Sequence, residues 1–245
     1  MKKSIKKCIC VILSALMVIY APVKTEAAVI TTHFGASFGY YDPQVWEKAD
    51  GWSNGGMFNC TWRASNVNFY NDTLELSITN DYSGSKPYAG GEYRTWNKFG
   101  YGLYQVCMKP AKNIGIVSSF FTYADNPWDE IDIEFLGKNT NQVQFNYYKN
   151  GQGNHEHLHN LGFDASNDFH VYGFDWRSNY IAWFVDGVEV YRVWGDMPSN
   201  PGQIMMNIWP GIGVNEWLGA YDGKTPLTAY YKWVSYDPVS TTQAE

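Results

Sequence analysis

Three acidic side chains stand two residues apart in the segment WDEIDIEFLG, residues 128–137. Glu130, Asp132 and Glu134 alternate there with three apolar residues. On a β-strand successive side chains point to opposite faces, so the acids would share one face and the apolar residues would enter the core. A helix would scatter the acids around its circumference, so the pattern predicts a strand. A row of like charges gains nothing for stability, which points to chemistry instead.

The spacing of Glu130 and Glu134 suits paired-carboxyl catalysis. Their Cα atoms would lie roughly 13 Å apart on a strand, and side chains that lean together by ~3–4 Å each would bring the carboxyls to about 5–7 Å. Retaining glycosidases hold two carboxyls about 5–5.5 Å apart, whereas inverting enzymes need a wider gap to admit a water. The spacing is compatible with retention. Asp132 would hydrogen-bond the nucleophile, and its charge would disfavour ionisation of its neighbours.

Two other interpretations of this acidic row stay open on spacing alone. The three carboxylates could ligate Ca²⁺, as in carbohydrate-binding sandwiches, although such sites usually add loop oxygens that a straight strand does not supply. The row could also be an ordinary solvated face.

Further strand patterns predict an all-β chain. Residues 73–79 alternate apolar with polar side chains, and Asp186-Gly187 separates two β-rich apolar runs within residues 181–193, which is a strong hairpin signal. Many short strands in a chain of this size indicate an antiparallel sandwich or barrel. The other segments that we predict as strands are VQFNYY, GLYQVCM, FHVYGFDW and IMMNIW.

Several of these strands carry polar and aromatic side chains on one face. Gln144, Asn146 and Tyr148 share a face, and Asn207 and Trp209 share another. Because large aromatic side chains on an exposed face usually mark a binding site, these faces predict a surface for a ligand rather than for solvent alone. The segment GEYRTW would likewise align Glu92, Arg94 and Trp96.

The first 27 residues have the pattern of a secretory signal peptide. A Lys-rich start is followed by an apolar run from Cys8 to about Val23 and by small residues up to Ala27, and the apolar run is short for a membrane span. We therefore expect an exported, soluble protein without a membrane partner, whose single domain comprises residues 28–245. Residues 1–27 contain five Lys and one Glu, so the formal charge of −6 becomes −10 for residues 28–245, which argues against nucleic acid as a partner.

The acidic segment resembles the active-site strand of family 16 glycoside hydrolases, and within them the bacterial lichenases. The likeness extends through WEKADGWSNGGMFNCTW, GEYRTWNKFGYGLYQVCMKPAKNIGIVSSFFTY, VQFNYYKNG, LGFDAS and PGQIMMNIWPGIGVNEWLG. It implies a β-jelly-roll sandwich of two curved antiparallel sheets with a cleft on the concave face. It also implies a monomeric endo-β-1,3-1,4-glucanase that acts on a polysaccharide and requires no cofactor.

The resemblance assigns roles by position. Glu130 would be the nucleophile, Glu134 the acid/base and Asp132 the assisting acid, and Trp128 would touch the sugar next to the scissile bond. The other implied substrate-binding residues are Asn59, Glu92, Arg94, Phe121, Asn146, Tyr148, Asn207 and Trp209.

Three positions depart from the family pattern. Many lichenases join the position of Cys60 to a second Cys, where this chain has Gly90, so we expect that bridge to be absent and leave open whether Cys60 and Cys107 meet. Many relatives bind a structural Ca²⁺ with an acidic residue in the last strand, where this chain has Lys232, which puts the ion in doubt. The loop of residues 121–128 is also shorter than in typical relatives, so subsite preference would differ.

The expected activity has rivals. The same family contains β-1,3-glucanases and xyloglucan-active transglycosylases, and the latter carry a C-terminal extension beyond the last strand that we do not find here. A lectin-like sandwich without chemistry is the rival from a different class. The segment HEHLH, residues 155–159, aligns three His side chains that could bind Zn²⁺, although an ordinary polar surface explains them better.

Overall fold

The computed structural model describes residues 27–239, and within them β-strands dominate. A single 3-10 turn, Ala64–Asn66, and one short helix, α1 at Asn215–Leu218, interrupt the strands in this part of the chain. In chain order the strands are β1 Val29–Ile30, β2 Phe34–Ser37, β3 Trp46–Lys48, β4 Cys60–Trp62, β5 Val67–Tyr70, β6 Thr73–Asn80, β7 Tyr88–Thr95, β8 Lys98–Phe99, β9 Gly102–Lys109, β10 Ile116–Asp125, β11 Trp128–Leu136, β12 Gln142–Tyr148, β13 His157–Asn160, β14 His170–Trp176, β15 Tyr180–Val185, β16 Val188–Trp194, β17 Gln203–Pro210 and β18 Leu227–Pro238.

Most strands form two antiparallel sheets that are linked through one continuous series of strand pairings. Strands β1 and β8 form a separate two-stranded parallel sheet, and β4 pairs in parallel with β7. We name the cleft sheet by its strand order β13-β12-β11-β10-β17-β7, with β3 beside β7, and the back sheet by its order β6-β18-β9-β14-β15-β16, with β5 beside β6 and β2 beside β18. A short pairing of β6 with β7 joins the two sheets. This is the predicted jelly-roll sandwich, and the all-β prediction is confirmed.

The core lies between the two sheets and is built by period-two alternation. Ile131, Ile133 and Phe135 of β11 are completely buried, as predicted. Phe135 packs edge-on against Tyr172 of the back sheet with ring centroids 4.9 Å apart, and Trp183 of the same sheet is also fully buried. The indole N–H of Trp183 donates to the main-chain oxygen of Asp132 across the core at 3.1 Å. The back sheet therefore holds the backbone of the acidic strand by a hydrogen bond as well as by packing.

The predicted hairpin is present at Asp186-Gly187. Strands β15 and β16 pair up to Val185 and Val188, and both turn residues have positive φ, 49° for Asp186 and 79° for Gly187. This is the conformation that two-residue hairpins of this type require, and Asp and Gly adopt it at low cost. The Asp186 carboxylate also accepts the backbone N–H of Val171 at 2.9 Å, which ties the turn to β14.

The predicted signal peptide, residues 1–27, falls almost entirely outside the described residues and stays a prediction. The same holds for the division of the chain at Ala28. None of the helices within residues 27–239 has the length and apolar character needed to cross a bilayer.

Candidate active site

A cleft of about 880 Å³ crosses the face of the cleft sheet that points away from the core. The row predicted from the sequence lies in it: Glu130, Asp132 and Glu134 of β11 all line the cleft, together with Trp128 at the start of the same strand. Neighbouring strands β10, β12 and β17 supply the rest of the floor. The alternation that buries one face of β11 therefore brings its three acids into one open groove.

Each of the two glutamates has its own neutral hydrogen-bond donor. The indole N–H of Trp128 donates to Oε2 of Glu130 at 2.6 Å. The side-chain amide of Gln144 donates to Oε2 of Glu134 at 2.7 Å. Asp132 stands between them and donates a proton in a hydrogen bond to Glu130, which lowers the pKa of Glu130 and raises that of Asp132. Glu130 thus receives two hydrogen bonds, and Glu134 receives one.

Burial in the cleft raises the pKa of all three carboxyl groups above their ordinary values. For Glu130 burial raises the pKa to about 7, with the bonds from Trp128 and Asp132 opposing the rise. For Glu134 burial raises the pKa to about 8, opposed by Gln144 and assisted by the charge of Glu130. The pKa of Asp132 is raised well above its ordinary value. Burial is the largest cause, and the charges of Glu130 and Glu134 add to it. Glu130 is therefore the carboxyl that ionises first, while Glu134 keeps its proton longer.

Trp128 forms one rim of the cleft and is held there by the residue that follows it. Its ring stacks on Tyr148 at 4.5 Å between centroids and 14° between planes. Asp129 points away from the cleft, is 3% exposed, and accepts three backbone N–H groups, from Asn150 at 2.8 Å, Ser199 at 2.7 Å and Asn200 at 3.0 Å. One buried carboxylate thus ties two loops to the base of the rim.

Asp129→Ala is expected to lower the free energy of unfolding by about 3 kcal/mol, because three partly buried backbone N–H groups lose a charged acceptor. Urea unfolding followed by tryptophan fluorescence measures the change. Asp125→Ala, an exposed position at the end of β10, is the matched control and is expected to shift the free energy by less than about 0.5 kcal/mol. Equal effects of the two substitutions would refute the structural role of Asp129.

The buried carboxyl of Glu92, on β7, lies next to the cleft residues Asn207, Asn54 and Arg94. Its Oε2 accepts the side-chain amides of Asn207 and Asn54, each at 3.3 Å, while its Oε1 has no hydrogen-bond partner. Arg94 lies 3.9 Å from Oε1 and bonds Glu47 at 2.7 Å. Burial raises the pKa of Glu92 to about 7.

Comparison with known proteins matches this geometry to one family. The sequence profile described as Glycosyl hydrolases family 16 matches residues 54–234, which include every cleft-lining residue. The chain belongs to glycosyl hydrolase family 16. It is a glycoside hydrolase, and the β-jelly roll found here is the fold of its relatives of known structure.

Individual relatives cover most of the chain. A β-glucanase of Acetivibrio thermocellus is 59% identical over 238 residues, which are 95% of this chain and 71% of that protein. The crystal structure of a prokaryotic β-1,3-1,4-glucanase (lichenase) from a mouse hindgut metagenome is 69% identical, with a TM-score of 0.84, and covers 85% of this chain and 100% of that one. The β-glucanase of Bacillus licheniformis is 55% identical, with a TM-score of 0.81, and covers 84% of this chain and 98% of that one.

Most substrate-binding residues predicted for this glycoside hydrolase line the cleft, and two do not. Asn59 is only partly buried and its backbone N–H bonds Pro210, but its side chain is not part of the cleft wall. Glu92 lies beside Asn207, its paired neighbour on β17, but it is fully buried and does not line the cleft. Trp96, which follows the end of β7, donates its indole N–H to the main-chain oxygen of Pro43 and is not among the cleft-lining residues. The predicted residues that do line the cleft are Trp128, Arg94, Phe121, Asn146, Tyr148, Asn207 and Trp209.

Several cleft residues were not predicted as site residues, and three of them are Gln144, Glu156 and Trp217. Gln144 was placed on the correct face of β12 without a role. Glu156 lies within HEHLH, on the face opposite to the three histidines, and was given no role. Trp217 lies on the four-residue helix α1, which is too short to give a helical pattern in the sequence. Alternation along residues 155–159 was a usable signal for Glu156, whereas Trp217 offered none.

The segment HEHLH packs its histidines against aromatic rings. His155 stacks on Tyr147 with centroids 3.8 Å apart, and His157 stacks on Tyr191 at 3.7 Å. Within residues 27–239 no group of three or more His, Cys, Asp or Glu side chains is arranged to hold a metal ion. The stack of His157 on Tyr191 joins β13 of the cleft sheet to β16 of the back sheet.

The departures from the family pattern have simple structural outcomes. Cys60 and Cys107 are both buried free thiols. A Cβ atom at Gly90 would lie 2.8 Å from the sulfur of Cys60, which identifies this glycine as the position of the missing bridge partner. Lys232, in place of an acidic ligand, holds its ammonium group 4.2 Å from the centre of the Phe169 ring.

Proposed function

We propose that this family 16 enzyme is an endo-β-1,3-1,4-glucanase that hydrolyses mixed-linkage β-glucan with retention of configuration. The observation that carries the proposal is the row of three carboxyls in one cleft, with a donor pattern that ionises Glu130 before Glu134. Support for the substrate comes from the lichenase that is 69% identical to this chain.

In the first step Glu130 and Glu134 act on one glycosidic bond. The Glu130 carboxylate attacks the anomeric carbon and forms an ester with the sugar, while Glu134 transfers its proton to the departing glycosidic oxygen. Asp132 remains neutral and donates to Glu130, which holds the attacking group in place and leaves only one negative charge in the row before attack. Two carboxyls in different protonation states are what this step requires.

In the second step the roles of Glu134 reverse. Now ionised, Glu134 removes a proton from water, the water attacks the anomeric carbon, and the ester to Glu130 breaks. Two inversions at the same carbon restore the original configuration. The stacked rings of Trp128 and Tyr148 beside the reacting carbon, and Trp209 further along the groove, supply flat apolar faces that suit pyranose rings.

A substrate panel tests the proposal. Purified protein is offered mixed-linkage β-glucan, laminarin, carboxymethyl-cellulose and xyloglucan, and release of reducing ends is measured. We expect hydrolysis of mixed-linkage glucan above all others. Preference for laminarin would favour a β-1,3-glucanase of the same family instead, and no hydrolysis of any glucan would favour a carbohydrate-binding sandwich. Proton NMR of the first product tests the mechanism, with the β-anomer expected first.

The dependence of kcat/KM on pH is expected to be bell-shaped with its maximum between about pH 7 and 8. Activity rises as Glu130 loses its proton, at a pKa of about 7, and falls as Glu134 loses its proton, at about 8. Trp128→Phe keeps the stacked ring and removes the N–H that stabilises ionised Glu130, so the acid limb of the profile moves to higher pH. An acid limb that stays in place, or moves down, would contradict this assignment.

We further propose that the protein is exported and acts as a monomer. The Lys-rich start and the apolar run within residues 1–27 support export. Expression of the full chain in a bacterial host, followed by amino-terminal sequencing of the protein in the medium, is expected to give a start at Ala28. Light scattering after gel filtration tests the monomer, and a mass of two chains would contradict it.

A further inference from the structure

The acid/base candidate Glu134 is contacted by a two-residue chain of hydrogen bonds. The amide of Gln144 donates to Oε2 of Glu134 at 2.7 Å, and the indole N–H of Trp217 donates to Oε1 of Gln144 at 3.1 Å. Gln144 is 3% exposed, directly opposite Glu134 in the pairing of β11 with β12. Both residues line the cleft.

The indole of Trp217 determines which way the amide of Gln144 faces. An indole nitrogen can only donate, so it must meet the oxygen of the amide, and the NH₂ group then faces Glu134. Without this bond the amide could turn through 180° and present its oxygen to the carboxyl. The order of donors and acceptors is therefore fixed from Trp217 to Glu134.

Helix α1 places Trp217 with little freedom. Leu218, the next residue, is fully buried, and its main-chain oxygen accepts the N–H of Gly115 at 2.9 Å. Gly115 has φ of 81°, and a Cβ atom there would meet the backbone of Tyr221 at 2.3 Å, so only glycine fits. The loop that carries Trp217 is thus anchored to the start of β10.

We propose that Gln144, oriented by Trp217, is a positioning residue that keeps the proton of Glu134 on Oε1. Because Oε2 already accepts the amide N–H, the proton of the neutral acid resides on the other oxygen and is offered from there to the departing glycosidic oxygen. After that transfer the same N–H stabilises the Glu134 carboxylate until it takes a proton from water. This inference rests on the proposed function.

Substitution of Gln144 and Trp217, alone and together, tests the inference. Gln144→Met removes the donor, so the basic limb of the kcat/KM profile is expected to move up by about one pH unit or more, and kcat to fall by about tenfold or more. Trp217→Phe keeps a ring and lets the amide turn, so the limb moves the same way by less. Because Trp217 acts through Gln144, the double variant is expected to show the limb of Gln144→Met alone.

Gln142→Met is the matched control. Gln142 lies on the same face of β12 two residues away, but it bonds Asn139 and Asn160 instead of Glu134. Its substitution is expected to leave both limbs in place. A basic limb unmoved by Gln144→Met in a folded variant, or shifts of the two single variants that simply add, would overturn the inference.

A measurement without substrate separates this inference from the proposed function. Titration of the Glu134 carboxyl by ¹³C NMR is expected to show a higher pKa in Gln144→Met than in the wild type, and the same pKa as wild type in Gln142→Met. If the wild type hydrolyses no glucan but this shift appears, the function fails while the role of Gln144 toward Glu134 stands. If glucan is hydrolysed and the titration is unchanged, the positioning role alone is refuted.

Discussion

Glu130→Ala is expected to reduce hydrolysis of mixed-linkage β-glucan by a factor on the order of 10⁴ to 10⁶, because no group remains to form the glycosyl-enzyme. Neither neighbour can replace it. Asp132 lies two residues away on the strand, has a shorter side chain and stays protonated. Glu134 is needed to protonate the departing oxygen. The rate of reducing-end release from the purified variant measures the loss.

Added azide distinguishes a lost nucleophile from a damaged fold. The Glu130→Ala variant has space where the carboxylate stood, so azide can attack an aryl glucoside with a good leaving group from that side. One inversion then gives the α-glycosyl azide, which NMR identifies. Glu75→Ala, in β6 of the back sheet, is the control and is expected to retain the wild-type rate. A β-glycosyl azide from Glu130→Ala would contradict its role as nucleophile.

The parts of the molecule that alternation encodes were predictable from the sequence. The face of β11 that carries Glu130, Asp132 and Glu134 follows from side-chain direction on a strand, and so does the burial of the residues between them. The hairpin at Asp186-Gly187 follows from the few residue types that accept positive φ at both turn positions. These features depend on neighbours within a few residues, which is why local patterns suffice.

Contacts between distant segments were beyond the sequence patterns. Gln144 and Trp217 are separated by 73 positions, and the indole of Trp183 reaches the backbone of Asp132 across 51 positions. Asp129 stands next to the catalytic row, yet its three backbone donors come from two loops that only the folded chain brings to it. Alternation shows which way a side chain points, but the register between strands and the paths of loops decide what it meets.

The resemblance to known enzymes predicted roles that alternation could not. Asn59 was assigned to the cleft in this way, and the structure puts its side chain outside the cleft wall. Asn146 and Tyr148 line the cleft, because side-chain alternation on β12 puts them on the same face. Glu92 is also a strand residue, on β7, but it is fully buried and bonded by the amides of Asn54 and Asn207, so the face of a strand does not by itself decide whether a side chain reaches the cleft.

Glu134→Gln is expected to reduce hydrolysis of mixed-linkage β-glucan by about 10²- to 10⁴-fold, because the amide cannot protonate the departing oxygen or activate water. Glutamine has nearly the same shape as glutamate, so the cleft keeps its form, and thermal unfolding is expected to change little. The loss should depend on the leaving group. An aryl glucoside whose phenol is already acidic needs no proton, so formation of the glycosyl-enzyme from it should be nearly unimpaired.

The second half-reaction then identifies the residue. In Glu134→Gln the glycosyl-enzyme on Glu130 accumulates from the aryl substrate, since no base activates water, and mass spectrometry of the intact protein should show the added sugar. In Glu134→Ala, azide needs no general base and fits the vacated space, so it releases the β-glycosyl azide after two inversions at the anomeric carbon. An α-glycosyl azide from this variant would mean a single inversion, which is the result expected when the nucleophile is missing. It would therefore assign the nucleophile to Glu134 and the acid/base role to Glu130.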